Sequence, residues 1–402
     1  MALMPVADAL QRVLAKALPL ADEMAPLNDA FGRVLTADVA ALRTQPPAAL
    51  SAMDGFAVRA ADIAKVPATL KVIGEVAAGH PFPGKVGPNQ AARIFTGGVM
   101  PAGSDTVVIQ ELTTVSDDSV VVHKPAARGR NVRNKGIDFV QGQILLRKGR
   151  RLTDRDLMLA AAMNHPRLRV HRRPKVAVLG TGDELVSPGQ SPEPGEIVYS
   201  NGFALTALAH NEGTEVCDLG IARDRIEEIA AAVRRAREWQ ADVLVTTGGA
   251  SVGEHDLVQR ALAAEGLDLS FWRVALRPGR PMMHGRLGGM QVLGVPGNPV
   301  SSYVCAFLFL VPLLRRLAGR TDIEPEPGTA RLGCDLPAND ERADYLRATI
   351  AEGPDGLVAT PVPSQDSSLM APLARADCLL IRPPNAPAAA AGSDCVILKL
   401  GL

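Results

Sequence analysis

The spacing of hydrophobic and polar positions changes its period along the chain. Residues 5–17 place apolar side chains on one helical face, and residues 152–163 predict a second helix that Thr153 and Asp156 would cap as a capping box. Between them the texture is β-like, with short apolar runs bounded by Gly and Pro at 70–76, 91–96, 106–110 and 120–123. The pattern predicts a β-rich module inserted between two helices.

Residues 174–320 alternate apolar strands with amphipathic helices. The predicted strands are 175–179, 216–219, 243–247, 270–276 and 291–295, and the predicted helices are 202–210, 226–239, 256–264 and 300–317. Alternation of this kind, with nearly continuous apolar strands, predicts an open parallel sheet covered by helices. The most apolar run, 303–314, is too short to span a bilayer and predicts a buried helix.

These patterns divide the chain into four regions. Residues 1–45 and 141–173 form a predicted helical stalk, 46–140 the β-rich inserted module, 174–320 the α/β domain, and 321–402 a small C-terminal β-barrel of short strands without a convincing helix. The predicted fold class is therefore α/β plus β in a multidomain chain.

Composition narrows the possible functions. The chain has 43 basic and 43 acidic residues, so no global field draws it to nucleic acid or to a membrane surface. Aromatic residues make up 3%, too few for a base-stacking surface. The five cysteines form no CxxC pair and no signal peptide is visible, which predicts a cytoplasmic location.

Three small or Gly-rich loops follow predicted strands of the α/β domain. Ligands of such sheets bind beyond the carboxyl ends of the strands, where backbone N–H groups hold anions. No GK[ST] tripeptide occurs and GxGxxG lacks its third Gly, so a P-loop and a dinucleotide site are both disfavoured. The loops supply these candidate substrate-binding residues: Gly180, Thr181, Gly182, Asp183, Gly248, Gly249, Ser251, Gly253, Pro296, Gly297, Asn298, Pro299 and Ser301.

Charged side chains accompany the loops. Glu184, Asp224 and Asp256 are candidates for a Mg²⁺ site, which needs one or two carboxylates and waters. Asp224 and Asp256 are alternatively read as helix caps. Arg273, Arg277 and Arg280 close the strand predicted at 270–276, and the spacing puts the first two on one face. They are either a solvated edge or a receptor for an anion.

Several segments resemble one known family. TTGGASVGEHD at 246–256 resembles the molybdopterin-binding signature, and GTGDEL at 180–185 and GVPGNPVSS at 294–302 follow the expected order. SAMDGFA at 51–57, RIFTGGVMPAGSDTVVIQE at 93–111, GRNVRNKGID at 129–138, RPGRP at 277–281 and SQDSS at 364–368 are similar to MoeA elements. The chain thus resembles the MoeA family, which includes the C-terminal part of gephyrin.

The resemblance implies a reaction and a set of residues. The family inserts molybdate into adenylylated molybdopterin, uses Mg²⁺ and releases AMP. The implied catalytic residues are Asp54, Thr96, Glu184, Asp224 and Asp256, of which Glu184, Asp224 and Asp256 would bind the metal. The implied substrate and molybdate contacts also include Arg133, Asp138, Arg273, Arg277, Arg280, Ser301, Arg347, Ser367 and Ser368.

The resemblance also implies partners: a homodimer formed through the stalk, an adenylyltransferase that delivers the substrate, and molybdoenzymes or their chaperones that receive the product. The sequence departs from the family at the three arginines, where lysine is usual, and at Phe56 and Ile137. Two alternatives remain open, a non-catalytic scaffold on this fold and a CinA-like nucleotide hydrolase. The SAMDG element weighs against the second.

Overall fold

The computed structural model describes residues 3–248, 257–354 and 356–400. Their contacts separate into two compact units, the first being Met1–Glu23, Gly32–Val34 and Val170–Leu402, and the second Met24–Phe31 and Leu35–Arg169. The α-helices of the described residues are α1 (Val6–Ala15), α2 (Asp154–Ala162), α3 (Asn201–Asn211), α4 (Ile226–Glu238), α5 (Leu257–Ala264), α6 (Pro299–Cys305), α7 (Val311–Leu317) and α8 (Met370–Ala374).

The second unit is built on a six-stranded sheet in the order β4-β1-β3-β2-β6-β5. Its strands are β1 (Gly55–Val58), β2 (Ala68–Val76), β3 (Gln90–Ile94), β4 (Thr106–Ile109), β5 (Thr113–Ser116) and β6 (Ser119–Val122). Separate apolar clusters, one containing Phe56 and Val108 and the other Ala57 and Ile94, form its core. The predicted β-rich module is therefore a real sheet, although β1 and β5 gave no clear sequence signal.

The first unit contains a second six-stranded sheet in the order β8-β7-β9-β13-β12-β10. Its strands are β7 (Lys175–Thr181), β8 (Glu215–Ala222), β9 (Val243–Thr247), β10 (Asp268–Trp272), β12 (Met283–Leu287) and β13 (Met290–Val295), and the short β11 (Leu276–Arg277) follows β10. The four strands β8, β7, β9 and β13 are parallel, as predicted, and the β12–β10 edge is antiparallel. Helices cover both faces, which is why β9 is buried along its whole length and β7 is buried from Val176 to Thr181.

The C-terminal strands close into a five-stranded barrel, because β15 pairs with both β16 and β17. Its strands are β14 (Pro327–Leu332), β15 (Ala343–Gly353), β16 (Gly356–Pro361), β17 (Cys378–Arg382) and β18 (Asp394–Lys399). Strand β11 of the α/β part pairs in parallel with β15, joining the barrel to the sheet region. The predicted barrel is confirmed, and the short α8 is an addition.

Shorter strands complete the described chain: Asp22–Pro26, Val39–Ala40, Leu50–Ser51, Val132–Arg133, Ile144–Leu146, Arg167–His171, Leu185–Val186 and Ile197–Val198. They bear on the predicted stalk. The structure places α1 in the first unit, where it packs against α7, and α2 in the second. Strands of two to five residues show too little alternation to be predicted from sequence. Because such strands occupy parts of 1–45 and 141–173, the predicted stalk contains less helix than expected.

The predicted helix 300–317 is one continuous helical run with a wide turn inside it. The run Pro299–Leu317 is long and apolar enough to cross a membrane, but 83% of its apolar window is buried in the protein. Residues Ala306–Leu310 form a π-helical turn between α6 and α7. Pro312 lies just after it, where its missing N–H and ring would disturb a regular helix.

Candidate active site

The three predicted loops meet at one edge of the parallel sheet. Gly180 of β7 pairs with Thr247 of β9, and Thr247 pairs with Val295 of β13, so all three strands end together. A Cβ on Gly248 would lie 2.2 Å from the carbonyl oxygen of Thr181, and one on Gly297 would touch the Gly248 Cα. Only glycine fits at Gly248, where φ is +96°, so the floor of this edge is main chain.

Asn201, at the start of α3, ties two of the loops together. Its amide Nδ2 donates to Thr247 Oγ1 at 2.8 Å and to the Gly297 carbonyl at 2.7 Å. The side chain of Ser200, which precedes α3, does not cap the helix. Asn201 is therefore a residue of the candidate site. The sequence did not indicate this, because an asparagine at the start of a helix is common.

Buried hydroxyl groups line the same edge. Thr181 Oγ1, Thr246 Oγ1 and the Tyr199 hydroxyl are buried and have no hydrogen-bond partner among the described residues. The Tyr199 ring occupies the space left by Gly180 and Gly202, and burial raises the pKa of its hydroxyl. Unsatisfied buried hydroxyls are rare in native proteins, and a bound ligand or water is the usual partner.

Two of the predicted metal ligands are exposed beside this edge. Glu184 and Asp224 both reach solvent, and the Asp224 backbone N–H donates to Asp183 Oδ1 at 3.2 Å. Within the described ranges, no three His, Cys, Asp or Glu side chains are close enough to hold a metal by themselves. A Mg²⁺ ion needs only one or two carboxylates and takes its other oxygens from water and phosphate, so the donor set fits that ion.

Part of the predicted set falls outside the described residues. Gly249, Ser251, Gly253 and Asp256 belong to the signature segment that the structure does not describe. Their assignments stay predictions.

The spacing predicts that Arg273 and Arg277 lie on one face of a single strand, but the structure places them on different segments. Arg273 has φ +83°, which ends β10, and its backbone N–H donates to the Met282 carbonyl. Arg277 lies on the separate strand β11, and Arg280 is exposed after the turn. The prediction was wrong because the left-handed turn at Arg273 resets the alternation.

Arg277 has carboxylate partners on the barrel. Its Nε and Nη2 donate to the two oxygens of Asp344 at 2.7 and 3.0 Å, and Nη1 lies 3.5 Å from Asp340. These contacts raise the pKa of Arg277, chiefly through Asp344. Asp344 is 67 residues away in sequence, so sequence reasoning missed it.

Arg347 is the largest fully buried side chain, at 1% exposure. Its Nη2 donates to the carbonyls of Ser364 and Asp366, and its Nε has no partner in the described part of the chain. No carboxylate of the described residues forms an ion pair with it, and burial lowers the pKa of its guanidinium. The side chain therefore holds a desolvated positive charge beside the 364–368 loop.

The 364–368 loop docks at the start of α6. Asn298 Nδ2 donates to Ser367 Oγ at 2.9 Å, and the Val300 N–H donates to the Ser367 carbonyl. Asp366 Oδ1 accepts from both the N–H and the hydroxyl of Ser368, each at 2.8 Å. The structure thus brings Arg347, Ser367 and the third loop together, with Ser301 buried in the first turn of α6.

Cys305 lies under the RPGRP segment. It is fully buried, its Sγ lies 3.6 Å from the Gly279 carbonyl, and burial raises the pKa of its thiol. A protonated, buried thiol is a packing group rather than a nucleophile.

The predicted residues of the second unit form their own group. Asp54, just before β1, accepts from Thr96, just after β3, and these bonds lower the pKa of Asp54. Arg133 pairs with Leu50 in a short ladder next to the SAMDG segment, and Asp138 is exposed on the following turn. Gly55 is required here, because a Cβ would lie 1.9 Å from the Val108 carbonyl oxygen.

Family comparisons cover almost the whole chain. Residues 4–164 match the MoeA N-terminal region (domains I and II), 177–316 a probable molybdopterin binding domain, and 329–400 the MoeA C-terminal region (domain IV). The molybdopterin molybdenumtransferase of Nostoc sp. is 34% identical over 388 residues, covering 94% of this chain and 88% of that protein. The Haemophilus influenzae molybdopterin molybdenumtransferase is 32% identical, covering 90% of each chain.

The fold agrees with these matches. A crystal structure of the molybdopterin biosynthesis MoeA protein from Pyrococcus horikosii superposes with a TM-score of 0.83 and 31% identity over 100% of both chains. The chain therefore belongs to the MoeA family of molybdopterin molybdenumtransferases, enzymes of molybdenum cofactor biosynthesis.

Proposed function

We propose that this enzyme inserts molybdate into adenylylated molybdopterin and releases AMP, in a reaction that requires Mg²⁺. The observation that carries the proposal is the buried Arg347 guanidinium, which forms no ion pair with a carboxylate of the described residues and has only Asp366 as a nearby opposite charge. Burying a charge without a counter-ion is unfavourable, so the site is suited to an anion. Ser367 lies in the 364–368 loop, which contacts the start of α6 next to Ser301. Both serines would supply hydroxyl donors to molybdate oxygens.

The sheet edge would hold the phosphate chain of the substrate. Its glycine floor lets main-chain N–H groups approach closely, and the buried hydroxyls of Thr181 and Thr246 have no partner in the described part of the chain. In the net reaction the phosphoanhydride bond breaks and the two dithiolene sulfurs of the substrate replace two oxygens of molybdate. One oxygen ends on the phosphorus of the released AMP, and the other leaves as water. The substrate supplies these sulfurs, so no reactive protein thiol is needed.

Charge on the phosphates must be offset as that bond breaks. Arg280, which is exposed on the turn after β11, would contribute to this neutralisation. Glu184 and Asp224, with Asp256 from the signature segment, would hold the Mg²⁺ ion. When bound, Mg²⁺ supplies positive charge to the phosphate oxygens.

We infer that the working enzyme is a homodimer with composite sites. Asp54 and Thr96 belong to the second unit, whereas the loops, Arg347 and the sheet edge belong to the first. In a two-fold dimer, Asp54 of one protomer would complete the site of the other. The substrate would come from an adenylyltransferase, and the product would pass to molybdoenzymes or their chaperones.

The decisive experiment measures AMP release by the purified protein from adenylylated molybdopterin. AMP should appear only when both a divalent cation and molybdate are present, with formation of molybdenum cofactor in equal amount. Omission of each component in turn is the control. AMP release at the same rate without any oxyanion would identify a hydrolase and overturn the proposal.

A further inference from the structure

Arg93 lies over two aromatic rings in the second unit. Its guanidinium carbon lies 5.0 Å from the centre of the Phe56 ring and 5.1 Å from that of Phe95. Phe56 is the cross-strand partner of Arg93, and Phe95 is two residues further along the chain. A guanidinium that lies over aromatic rings keeps its N–H groups for hydrogen bonds, because cation–π contacts use the ring faces and not the N–H donors.

One N–H donor of the Arg93 guanidinium already has a hydrogen-bond acceptor. Arg93 Nη2 donates to Gln110 Oε1 at 2.6 Å, the one hydrogen bond of its five N–H groups within the described residues. No described carboxylate lies within ion-pair distance of it, and the side chain is half-buried. Arg93 therefore presents a fixed positive edge whose charge no contacting carboxylate neutralises.

The edge lies beside the predicted catalytic pair. Gly55, at the start of β1, pairs with Ile94 at the end of β3 and with Ile109 at the end of β4, so these three strand ends lie together. Asp54 precedes Gly55, and its carbonyl accepts from the Gln110 N–H at 3.2 Å. The positive charge of Arg93 also contributes to the lowered pKa of Asp54.

A guanidinium positioned by two aromatic rings and the Gln110 amide is a suitable receptor for a tetrahedral oxyanion. Its planar fork matches two oxygens at once, and stacking removes the rotamer freedom that binding would otherwise restrict. A cation used only for packing would not need an open edge next to a catalytic carboxylate.

We propose that Arg93 is a further substrate-binding residue, which binds a tetrahedral oxyanion beside Asp54 through two N–H groups of its edge. The inference rests on the proposed function, because the oxyanion is either a phosphate of adenylylated molybdopterin or molybdate. Gln110 and the two phenylalanines act as positioning residues for it.

The central test compares Arg93→Lys, Gln110→Glu and the control Arg128→Lys in the full-length protein. Lys keeps the charge but loses the fork, and Glu at 110 would neutralise Arg93 while leaving it in place. Each variant should raise the half-saturating concentration of one reactant about tenfold or more, the size of a lost charge-assisted hydrogen bond. The Arg128 side chain is 85% exposed and forms only a surface ion pair with Asp105. Its conservative variant should therefore match the wild type.

Titrating each reactant separately identifies the oxyanion. A change confined to molybdate assigns Arg93 to the metal oxyanion, and a change confined to adenylylated molybdopterin assigns it to the phosphate. Calorimetric titration of AMP and of molybdate into each folded variant gives a second readout that needs no turnover. It keeps the inference testable if the transferase assay fails for the wild type.

Unchanged half-saturation and binding in both Arg93→Lys and Gln110→Glu would overturn the inference. So would a shift of the acid limb of the pH–rate profile with no change in either titration, because Arg93 would then act only on Asp54.

Discussion

Thr96 donates both its backbone N–H and its hydroxyl to one carboxylate oxygen of Asp54, each at 2.7 Å. The other oxygen of Asp54 is left for a ligand. Hydrogen bonds to the charged form lower the pKa of a carboxyl, and the backbone bond is the larger contribution here. The pair thus keeps Asp54 ionised at an exposed position where no direct ion pair is present among the described residues.

Thr96→Val should raise the pKa of Asp54 part of the way to its ordinary value, since the backbone bond remains. A carboxyl with a lowered folded-state pKa favours folding above its unfolded pKa and loses that contribution as the pH falls through the folded pKa. Because a higher pKa keeps Asp54 protonated up to a higher pH, the acid limb of the pH–rate profile should also move to higher pH. Carboxyl-carbon NMR of Asp54 checks the cause, and an unmoved resonance would refute the explanation.

Asp344→Asn should destabilise the first unit more than Asp340→Asn. Asp344 is 8% exposed and accepts both bonds of Arg277, whereas Asp340 lies on the surface at 36%. Because Arg277 is partly exposed, the expected loss at Asp344 is about 1–3 kcal/mol of unfolding free energy. Urea denaturation of both variants measures it, and equal losses would contradict the assignment of Asp344 as the principal partner.

Asp340 and Arg342 form a separate surface pair. Its hydrogen bonds from Arg342 lower the pKa of Asp340 to about 2, so this carboxyl stays charged through the physiological range. Asp340→Asn then serves as the matched control for loss of a carboxylate near Arg277.

Gly55→Ala should be severely destabilising. The added methyl group would lie 1.9 Å from the Val108 carbonyl oxygen, inside a ladder that cannot move without breaking β1 from β4. A loss of about 2–4 kcal/mol, or failure to fold, is expected for such a clash. Gly289→Ala, which has open space around it, should melt near the wild-type temperature.

Asp256→Asn tests the carboxylate that only the sequence assigns. Asn caps helices about as well as Asp, so near-native melting is expected, but it binds a divalent cation weakly, so turnover should fall strongly. Thermal melting and AMP release measured on the same preparation separate the two roles. Normal turnover would leave Asp256 as a cap alone.

Mixing the inactive variants Asp54→Ala and Asp256→Ala tests the composite site. Random exchange gives dimers in a 1:2:1 ratio, and each mixed dimer would regain one intact site. Activity should return to about a quarter of the wild-type level under two-fold symmetry. Native mass spectrometry confirms exchange, and no recovery despite exchange would show that each chain builds its own site.

Local signals in the sequence were sufficient where the interaction itself is local. The capping box of Thr153 and Asp156 was predicted from four residues and is present with both of its bonds. The three loops could be placed at one edge because parallel strands end on the same side of a sheet.

Long-range contacts could not be read in this way. The bidentate pair of Arg277 and Asp344 forms only when β11 joins the barrel, and nothing near either residue signals it. Arg273 and Arg277 were expected on one face because alternation assumes an unbroken strand. The left-handed backbone at Arg273 depends on bonds to Met282, whose position is set by the antiparallel strand that follows.

The main-chain floor formed at Gly180, Gly182, Gly248 and Gly297 restricts how this site can diverge. A Cβ would lie 2.5 Å from the Tyr199 ring at Gly180 and 2.2 Å from the Thr181 carbonyl oxygen at Gly248, and the positive φ of Gly182 and Gly248 adds strain for any side chain. At Gly297 a Cβ would make an ordinary contact with the Gly248 Cα at 3.6 Å. Point mutation at Gly180 and Gly248 therefore offers no side chain with which to adjust affinity for the reactant. We expect selectivity among related compounds to evolve in the walls of the site, at positions such as Asn201, Ser301 and Ser367, while these two floor positions keep glycine.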